Sequence, residues 1–332
     1  MRKIINNPDA FVDEVVEGIL LAHSDRLGAV GGDQRVLART DEAAGRVGIV
    51  TGGGSGHLPL FLGYVGRGLC SSVAIGNVFS SPSAEQMLAA IEAADEGAGV
   101  LCLYGNYGGD IFNFDLACDL ADGIETTTVL GIDDVLSAPR ERADSRRGVA
   151  GLLFAYKVAG AAAERGDDLA EVTRLADKAV RATGTAGVGL SPTILPAAGV
   201  PTFTLDEGEM EIGIGIHGEP GQHRGALETA DEIAERLLTP IVADLGLVAG
   251  DRVALLVNGL GATPLEELYL VYRKVVQTLT ATGVEVTRSL VGEYATSLEM
   301  AGASVSLLKL DDELLELLDA PASTPFVGFG AR

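Results

Sequence analysis

Apolar residues in the first half of the chain recur with two alternating periods, one helical and one extended. Between positions 7 and 25, Phe11, Val15 and Ile19 fall on one side of a helix, because residues three or four apart share a helix face. The run VGIV at 47–50 has the length of a buried strand and leads into glycines. These two periods predict a helix followed by a strand.

The same succession of strand, glycine-containing loop and helix repeats up to about residue 184. Strands are predicted around 99–104 and 124–134, and helices over 84–97, 111–123, 148–166 and 168–184. Ser83 is a good helix start for the first of these helices and Gly97 a good stop. The alternation predicts an α/β fold, with helices on both faces of a sheet.

The pattern changes near Gly184, where a stretch rich in Gly, Pro and Thr begins. Strands follow around 209–219, then a helix at 227–246 and a strand–glycine–helix unit at 251–283. The last part, 284–321, has the pattern strand, short helix, strand, helix. We therefore expect two α/β domains, 1–184 and 185–332, each a mixed sheet flanked by helices.

Composition and charge limit the function classes. The 332 residues carry a net charge of −23, which disfavours binding to nucleic acid or to an anionic membrane. No apolar run reaches the roughly 18 residues of a membrane helix, and no secretory signal follows the basic start. The three cysteines fit no zinc spacing and are expected to be buried, reduced thiols. These features favour a cytoplasmic protein.

Three glycine loops, 52–56, 105–109 and 259–261, are predicted at the carboxyl ends of strands. Ligands of open α/β sheets bind at these ends, and glycine lets backbone amides approach them. None of the loops is a P-loop or a dinucleotide fingerprint, which argues against a dehydrogenase. Nor is the first a nucleophile elbow, because His57 stands where G-x-S-x-G needs glycine. Any one of these loops is equally consistent with a simple tight turn.

Two of the four histidines stand beside glycine-rich segments. His57 follows GGGSG, and His217 follows the alternating stretch EIGIGI, which we interpret as a strand leading to a turn at 218–220. Asp110 closes the second glycine loop, and His23 and His223 are interpreted as surface residues. Two imidazoles and one carboxylate can together perform nucleophilic and acid–base chemistry.

The segments TGGGSGHLP, GNYGGDIFNF, RRGVAG, EMEIGIGIHGEPG and NGLGATPLEELY resemble the dihydroxyacetone kinase family, in particular its substrate-binding K subunit. The similarity runs in order through nearly the whole chain, and EMEIGIGIHGEPG is its most specific part. The resemblance implies two α/β domains and a homodimer.

The resemblance also implies roles for site residues. His217 matches the histidine that binds the substrate ketone carbon covalently as a hemiaminal. His57 matches a histidine that hydrogen-bonds the substrate and assists proton transfer, and Asp110 matches the aspartate that acts on the hydroxyl to be phosphorylated. The expected substrate-binding residues are Gly54, Ser55, Gly56 and Gly105.

Three positions depart from the family pattern. Leu58 and Asn77 stand where glutamates are usual, and Gly105 stands where a lysine normally reaches a substrate hydroxyl. Loss of that lysine is expected to open space for a ketose larger than dihydroxyacetone, such as erythrulose or the branched pentulose of an apulose kinase. The alternative is sequence drift in an ordinary triose enzyme.

The family's nucleotide domain is a helical module with magnesium-binding aspartates, and no segment of this sequence resembles it. We therefore expect no cofactor and no metal on this chain, and a separate L-type subunit carrying ATP, or ADP recharged by a phosphotransfer protein, with Mg²⁺. A ketose-sensing coactivator without kinase turnover is the alternative function. The presence of His57, Asp110 and His217 favours the enzyme.

Overall fold

The computed structural model describes residues 3–41 and 44–330, which form two six-stranded mixed sheets with helices between and outside them. The helices are α1 (Phe11–His23), α2 (Ala84–Ala94), α3 (Gly108–Leu120), α4 (Leu152–Arg165), α5 (Leu169–Arg181), α6 (Ala230–Leu245), α7 (Leu265–Ala281) and α8 (Asp312–Asp319). The strands of the first sheet are β1 (Leu27–Val30), β2 (Asp33–Arg39), β3 (Gly48–Ser55), β4 (Ser72–Val78), β5 (Val100–Gly105) and β6 (Thr126–Gly131). Those of the second are β7 (Thr183–Ser191), β8 (Glu209–Ile212), β9 (His223–Ala226), β10 (Arg252–Gly259), β11 (Glu285–Gly292) and β12 (Ala301–Leu310), and a small ribbon pairs β13 (Ala322–Ser323) with β14 (Gly328–Phe329).

The first sheet has the strand order β1-β2-β4-β3-β5-β6. Strands β4, β3, β5 and β6 run parallel, and the hairpin β1–β2 adds an antiparallel edge. After β3 the chain first adds β4 on one side and then β5 on the other. The crevice beyond the carboxyl ends of β3 and β5 is therefore a switch point of the kind where open α/β sheets bind ligands.

The second sheet has the order β11-β10-β12-β7-β8-β9 and is antiparallel except for the pair β10–β11. Helices α6 and α7 pack on its outer face, just as α2 and α3 cover the outer face of the first sheet. Helix α4 lies in the core between the two sheets and is buried along almost its whole length. A helix that is apolar on all sides fits only such a central position. The α/β class and the mixed, helix-flanked sheets predicted from the sequence are confirmed.

Several local predictions need correction. The hairpin β1–β2 and strand β4 were not predicted, and the short helix expected within 284–321 is a series of bends and turns. Strand β3 runs through Gly52, Gly53 and Gly54 to Ser55, so the first glycine segment is mostly strand rather than loop. The predicted helix start is confirmed, because Ser83 is the N-cap of α2 and its side chain completes a capping box with Gln86.

The switch from one sheet to the other falls in the helical segment between β6 and β7, while α8 returns to pack in the core beside α4. The domain division at residue 185 stays a prediction, and its outer ends, residues 1–2 and 331–332, lie outside the described residues. Among the helices described, none has both the length and the apolar character needed to span a membrane.

Candidate functional site

The crevice at the carboxyl end of β3 faces a loop of the second sheet, and two histidines meet there. His57 comes two residues after β3, and His217 lies in the loop between β8 and β9. Their Nε2 atoms are 3.1 Å apart. The segment after β11 holds the backbone beside His57, because Leu298 N–H donates to the Gly56 carbonyl at 2.7 Å. The structure thus brings together two predicted residues that are 160 positions apart in sequence.

The His57 ring is buried and held from two sides. Its Nδ1 lies 2.8 Å from the Thr296 carbonyl oxygen, which can only accept, so Nδ1 carries the proton. The Phe79 ring stacks on it with centroids 4.9 Å apart. Burial, and next the charge of His217, lower the pKa of His57 from 6.5 to about 3. His57 is therefore a neutral imidazole whose Nε2 lone pair points at His217.

The His217 ring is oriented by Glu219, two residues further along the chain. Its Nδ1 lies 2.9 Å from Glu219 Oε1, and its backbone N–H donates to Glu219 Oε2 at 3.0 Å. A carboxylate accepts, so His217 Nδ1 also carries a proton. The His217 side chain keeps about a quarter of its surface, 24%, exposed. Its Nε2 atom is thus directed at His57 from a ring that solvent can still reach.

Glu219 belongs to a chain of charged groups. Burial opposes its ionisation, but the hydrogen bond and charge of His217 prevail and lower the pKa of Glu219 to about 2. Arg147 lies behind it, with Nη1 3.9 Å from Glu219 Oε2, and is itself paired to Asp134 at 2.8 Å. Burial raises the pKa of Asp134 to about 6 against the charge of Arg147. Arg147 comes from the segment RRGVAG, which carries part of the family resemblance, so that segment supports His217 through Glu219.

Asp110 lies in the first turn of α3, with 4% of its surface exposed. Its Oδ1 atom has no hydrogen-bond partner among the described residues. Burial raises the pKa of Asp110 to about 6, against the opposing influence of Ser81 and of His217. A buried carboxylate with a free oxygen and a pKa near neutrality is suited to accept a proton.

The glycines of TGGGSGH are explained first by close packing. A Cβ atom on Gly53 would stand 2.4 Å from the Phe61 ring, and one on Gly54 would stand 2.7 Å from Ser80 N. Gly56 also has a left-handed φ of +104°, which disfavours other residues. The glycines therefore let two aromatic residues, Phe61 and Phe79, close around His57. Whether Gly54, Ser55 and Gly56 also line a substrate pocket stays a prediction.

Gly105 does not adjoin an empty volume. A Cβ atom there would meet the Tyr107 ring at 3.0 Å, and the Tyr107 hydroxyl donates to the Gly148 carbonyl at 3.2 Å. The same ring packs against His217 with centroids 4.9 Å apart. The Tyr107 ring therefore lies against Gly105 where its Cβ would be, and the expectation of a larger pocket stays a prediction.

His217 does not stand at a strand end, as was expected. Strand β8 ends at Ile212, and Gly213, with φ +82°, turns the chain out of the sheet. Reasoning from sequence also missed Glu219, although its place in HGEP, two residues after His217, was a usable signal. Phe79 and Tyr107 gave no such signal, because side-chain packing alone places their rings.

Comparison with known proteins identifies the family of this chain. A family model described as the Dak1 domain matches residues 17–326. The dihydroxyacetone-binding subunit DhaK of PTS-dependent dihydroxyacetone kinase 1 from Listeria innocua is 46% identical over 98% of this chain and 99% of its own length. The L-erythrulose kinase of Pectobacterium atrosepticum is 43% identical over 98% of this chain, which spans 56% of that longer relative.

Solved structures give the same picture. The dihydroxyacetone kinase operon co-activator Dha-DhaQ superposes with a TM-score of 0.87 at 34% identity, over 93% of this chain and 96% of its own. The dihydroxyacetone kinase of C. freundii, in complex with AMP-PNP and Mg²⁺, superposes with a TM-score of 0.87 at 29% identity. That match covers all of this chain and 62% of the kinase.

Proposed function

The chain belongs to the dihydroxyacetone kinase family as a Dak1-domain protein, and we propose that it captures a small ketose on His217 and presents a terminal hydroxyl for phosphorylation. The observation that carries this proposal is the Nε2–Nε2 contact of 3.1 Å between His57 and His217. Since Thr296 and Glu219 accept from both Nδ1 atoms, a hydrogen bond between the two Nε2 atoms needs one further proton, which this proposal places between His217 and His57.

That proton gives a balanced route to a hemiaminal. The shared proton moves from His217 Nε2 to His57 Nε2, which frees the lone pair of His217. This lone pair forms a bond to the ketone carbon while the C=O π bond breaks, and His57 returns the proton to the new alkoxide. The product is an N-alkylated imidazolium paired with Glu219, beside a neutral His57 that accepts from the new hydroxyl. No proton is exchanged with solvent.

Covalent capture selects ketoses, because a polyol has no carbonyl for the imidazole to attack. It also fixes the rest of the substrate, which removes much of the entropic cost of orientation. Ser55 takes part as an acceptor in this proposal, since its hydroxyl proton is already donated to the Gly76 carbonyl at 2.8 Å. Gly54 and Gly56 provide the backbone next to His57 that the ketose contacts in this proposal.

Asp110 is the proposed base for the hydroxyl that is phosphorylated. With its pKa raised to about 6, the carboxylate is ionised at neutral pH yet basic enough to take a proton in the transition state. Phosphoryl transfer otherwise depends on positioning and on charge neutralisation by Mg²⁺ and cationic groups. A separate L-type subunit supplies the nucleotide and Mg²⁺ in this proposal.

Two phosphoryl donors are consistent with the descriptions of the relatives. The Listeria innocua relative is described as PTS-dependent, which favours a phosphotransfer protein that recharges ADP on the L-type subunit. The C. freundii structure contains AMP-PNP and Mg²⁺, which favours free ATP. For the substrate we propose dihydroxyacetone or erythrulose, after the relatives described by these names. A cytoplasmic homodimer completes the proposal.

The experiment combines the purified chain with an L-type subunit and measures phosphorylation of dihydroxyacetone and of both erythrulose enantiomers, with ATP or with the phosphotransfer system. We expect turnover only when both subunits are present, and none with His217→Ala. The co-activator structure supports the alternative of a ketose sensor. Capture of ketose without turnover by any donor and L-type subunit would favour that alternative.

A further inference from the structure

Two of the three cysteines form a contact outside the histidine site. Cys102 lies in β5 and Cys118 in α3, and their Sγ atoms are 3.7 Å apart. Cys102 is buried and Cys118 is partly exposed, while Cys70 is buried elsewhere in the core. An accessible thiol in contact with a buried one is the arrangement in which an oxidised sulfur can be resolved into a disulfide.

We propose that Cys118 is a site of oxidation by hydroperoxides and that Cys102 resolves it into an intramolecular disulfide. In the first step the Cys118 thiolate attacks one peroxide oxygen, the O–O bond breaks, and hydroxide leaves and becomes water. In the second step the Cys102 sulfur attacks the sulfenic acid sulfur and releases water. The two thiols lose two electrons, which reduce the peroxide, and a dithiol reverses the reaction.

The surroundings distinguish Cys118 from the other two thiols. The hydrogen bond from Cys102 lowers the pKa of Cys118 to about 7, against burial and the nearby charges of Asp115 and Asp119. Burial raises the pKa of Cys70. Since the thiolate is the reactive species, Cys118 should react first and Cys70 should stay reduced.

The proposed disulfide would form on the same helix that carries Asp110, the proposed catalytic base. Cys118 lies eight residues after Asp110 on α3, which is about 12 Å along the helix axis. Between them, Phe114 of α3 stacks on Tyr104 of β5, with ring centroids 4.0 Å apart. A bond between Cys102 and Cys118 brings the sulfurs from 3.7 Å to about 2.05 Å, and in this proposal α3 shifts against β5 to accommodate it. This consequence rests on the proposed function, because it assigns Asp110 to phosphoryl transfer.

The first experiment needs no kinase activity. The full chain is exposed to hydrogen peroxide, unfolded, alkylated and weighed intact, and its peptides are mapped. We expect a loss of 2 Da, one alkylated thiol at Cys70, and a peptide linking Cys102 to Cys118. Cys70→Ala should give the same disulfide. Cys102→Ala should leave a sulfenic acid on Cys118 that dimedone traps. Three alkylated thiols after peroxide, equal consumption of Cys70, or a disulfide between two chains would overturn the assignment.

The second experiment measures the effect on turnover. Oxidised and reduced protein are compared for ketose capture, by intact mass, and for kcat with the L-type subunit. We expect capture to persist and kcat to fall about 10²-fold, the size associated with misplacing a reacting group by about 1 Å. A dithiol should restore kcat, and Cys118→Ala should be insensitive. An unchanged kcat in protein with a verified disulfide would refute the coupling to Asp110. If reduced wild type shows no turnover with any donor, the proposed function fails, while the disulfide result stands separately.

Discussion

Replacing Asp110 by asparagine should slow phosphorylation and at the same time stabilise the fold. The pKa of Asp110 is raised from 3.8 to about 6 by burial, so the charged form is disfavoured in the native state. One pKa unit corresponds to about 1.36 kcal/mol, and the difference of about 2.2 therefore costs about 3 kcal/mol once the carboxylate is fully ionised. The cost is absent below the unfolded pKa and is complete above the folded one.

Asp110→Asn removes this cost, but one polar atom of the new amide then takes the place of Asp110 Oδ1, which has no hydrogen-bond partner among the described residues. Such an unsatisfied group costs about 1–3 kcal/mol, so the net gain expected at pH 8 is about 0–2 kcal/mol. At pH 5, which is still above the isoelectric point near 4.4, the charge penalty falls to about 1.6 kcal/mol and most of the gain disappears. The same substitution should lower kcat about 10²–10⁴-fold.

Urea unfolding at pH 5 and pH 8 measures the stability of wild type and variant, and a coupled assay gives kcat. Asp115→Asn is the matched control, because Asp115 is exposed on the same helix and should change neither quantity. A variant that is less stable than wild type at pH 8, or that gains equally at both pH values, would show that Asp110 carries no burial penalty. An unchanged kcat would remove it from the mechanism.

Three further substitutions test the site around His217. His57→Asn should impair both capture and transfer, seen as a slower adduct formation and a lower kcat, whereas an effect on kcat alone would contradict the shared proton. Glu219→Gln replaces a half-buried carboxylate by a neutral acceptor. Since a hydrogen bond to a charged group contributes about 1.5–3 kcal/mol, ketose affinity should fall roughly 10–100-fold, measured as adduct yield at several ketose concentrations. Full affinity would leave Glu219 a structural role only. Gly105→Lys must displace the Tyr107 ring, so the free energy of unfolding should drop by about 1–3 kcal/mol, and a neutral effect in urea unfolding would show that the ring moves freely.

The sequence predicts that His57 and Asp110 each follow a strand, and these strands, β3 and β5, are parallel neighbours in the first sheet, so their carboxyl ends meet at one edge. The hairpin of residues 27–39 could also have been predicted. Gly31 and Gly32 both have positive φ, and a Gly-Gly pair between alternating apolar residues is a strong hairpin signal. These features depend on local pattern alone.

Other features depend on packing that no local pattern records. The glycines before His57 are typical of a ligand-binding loop in sequence, yet β3 continues through Gly52 to Gly54. Phe61 and Phe79 pack where side chains at two of these positions would stand. The volume beside Gly105 depends on the rotamer of Tyr107, which its hydrogen bond to the Gly148 carbonyl fixes. The residue types indicate which chemistry is available at these positions, whereas the course of the backbone and the space around it depend on packing with other side chains.

The central claim is that His217 binds the ketose covalently, and the mass of the intact chain tests it most directly. The chain is incubated with dihydroxyacetone or erythrulose and weighed under mild conditions, and peptides are mapped afterwards. We expect the added mass of one ketose on wild type, located at His217, and no added mass on His217→Ala. We expect the same adduct on Asp110→Asn, whose defect lies in transfer. An adduct of unchanged yield on His217→Ala, or its location on another residue, would contradict covalent binding at His217.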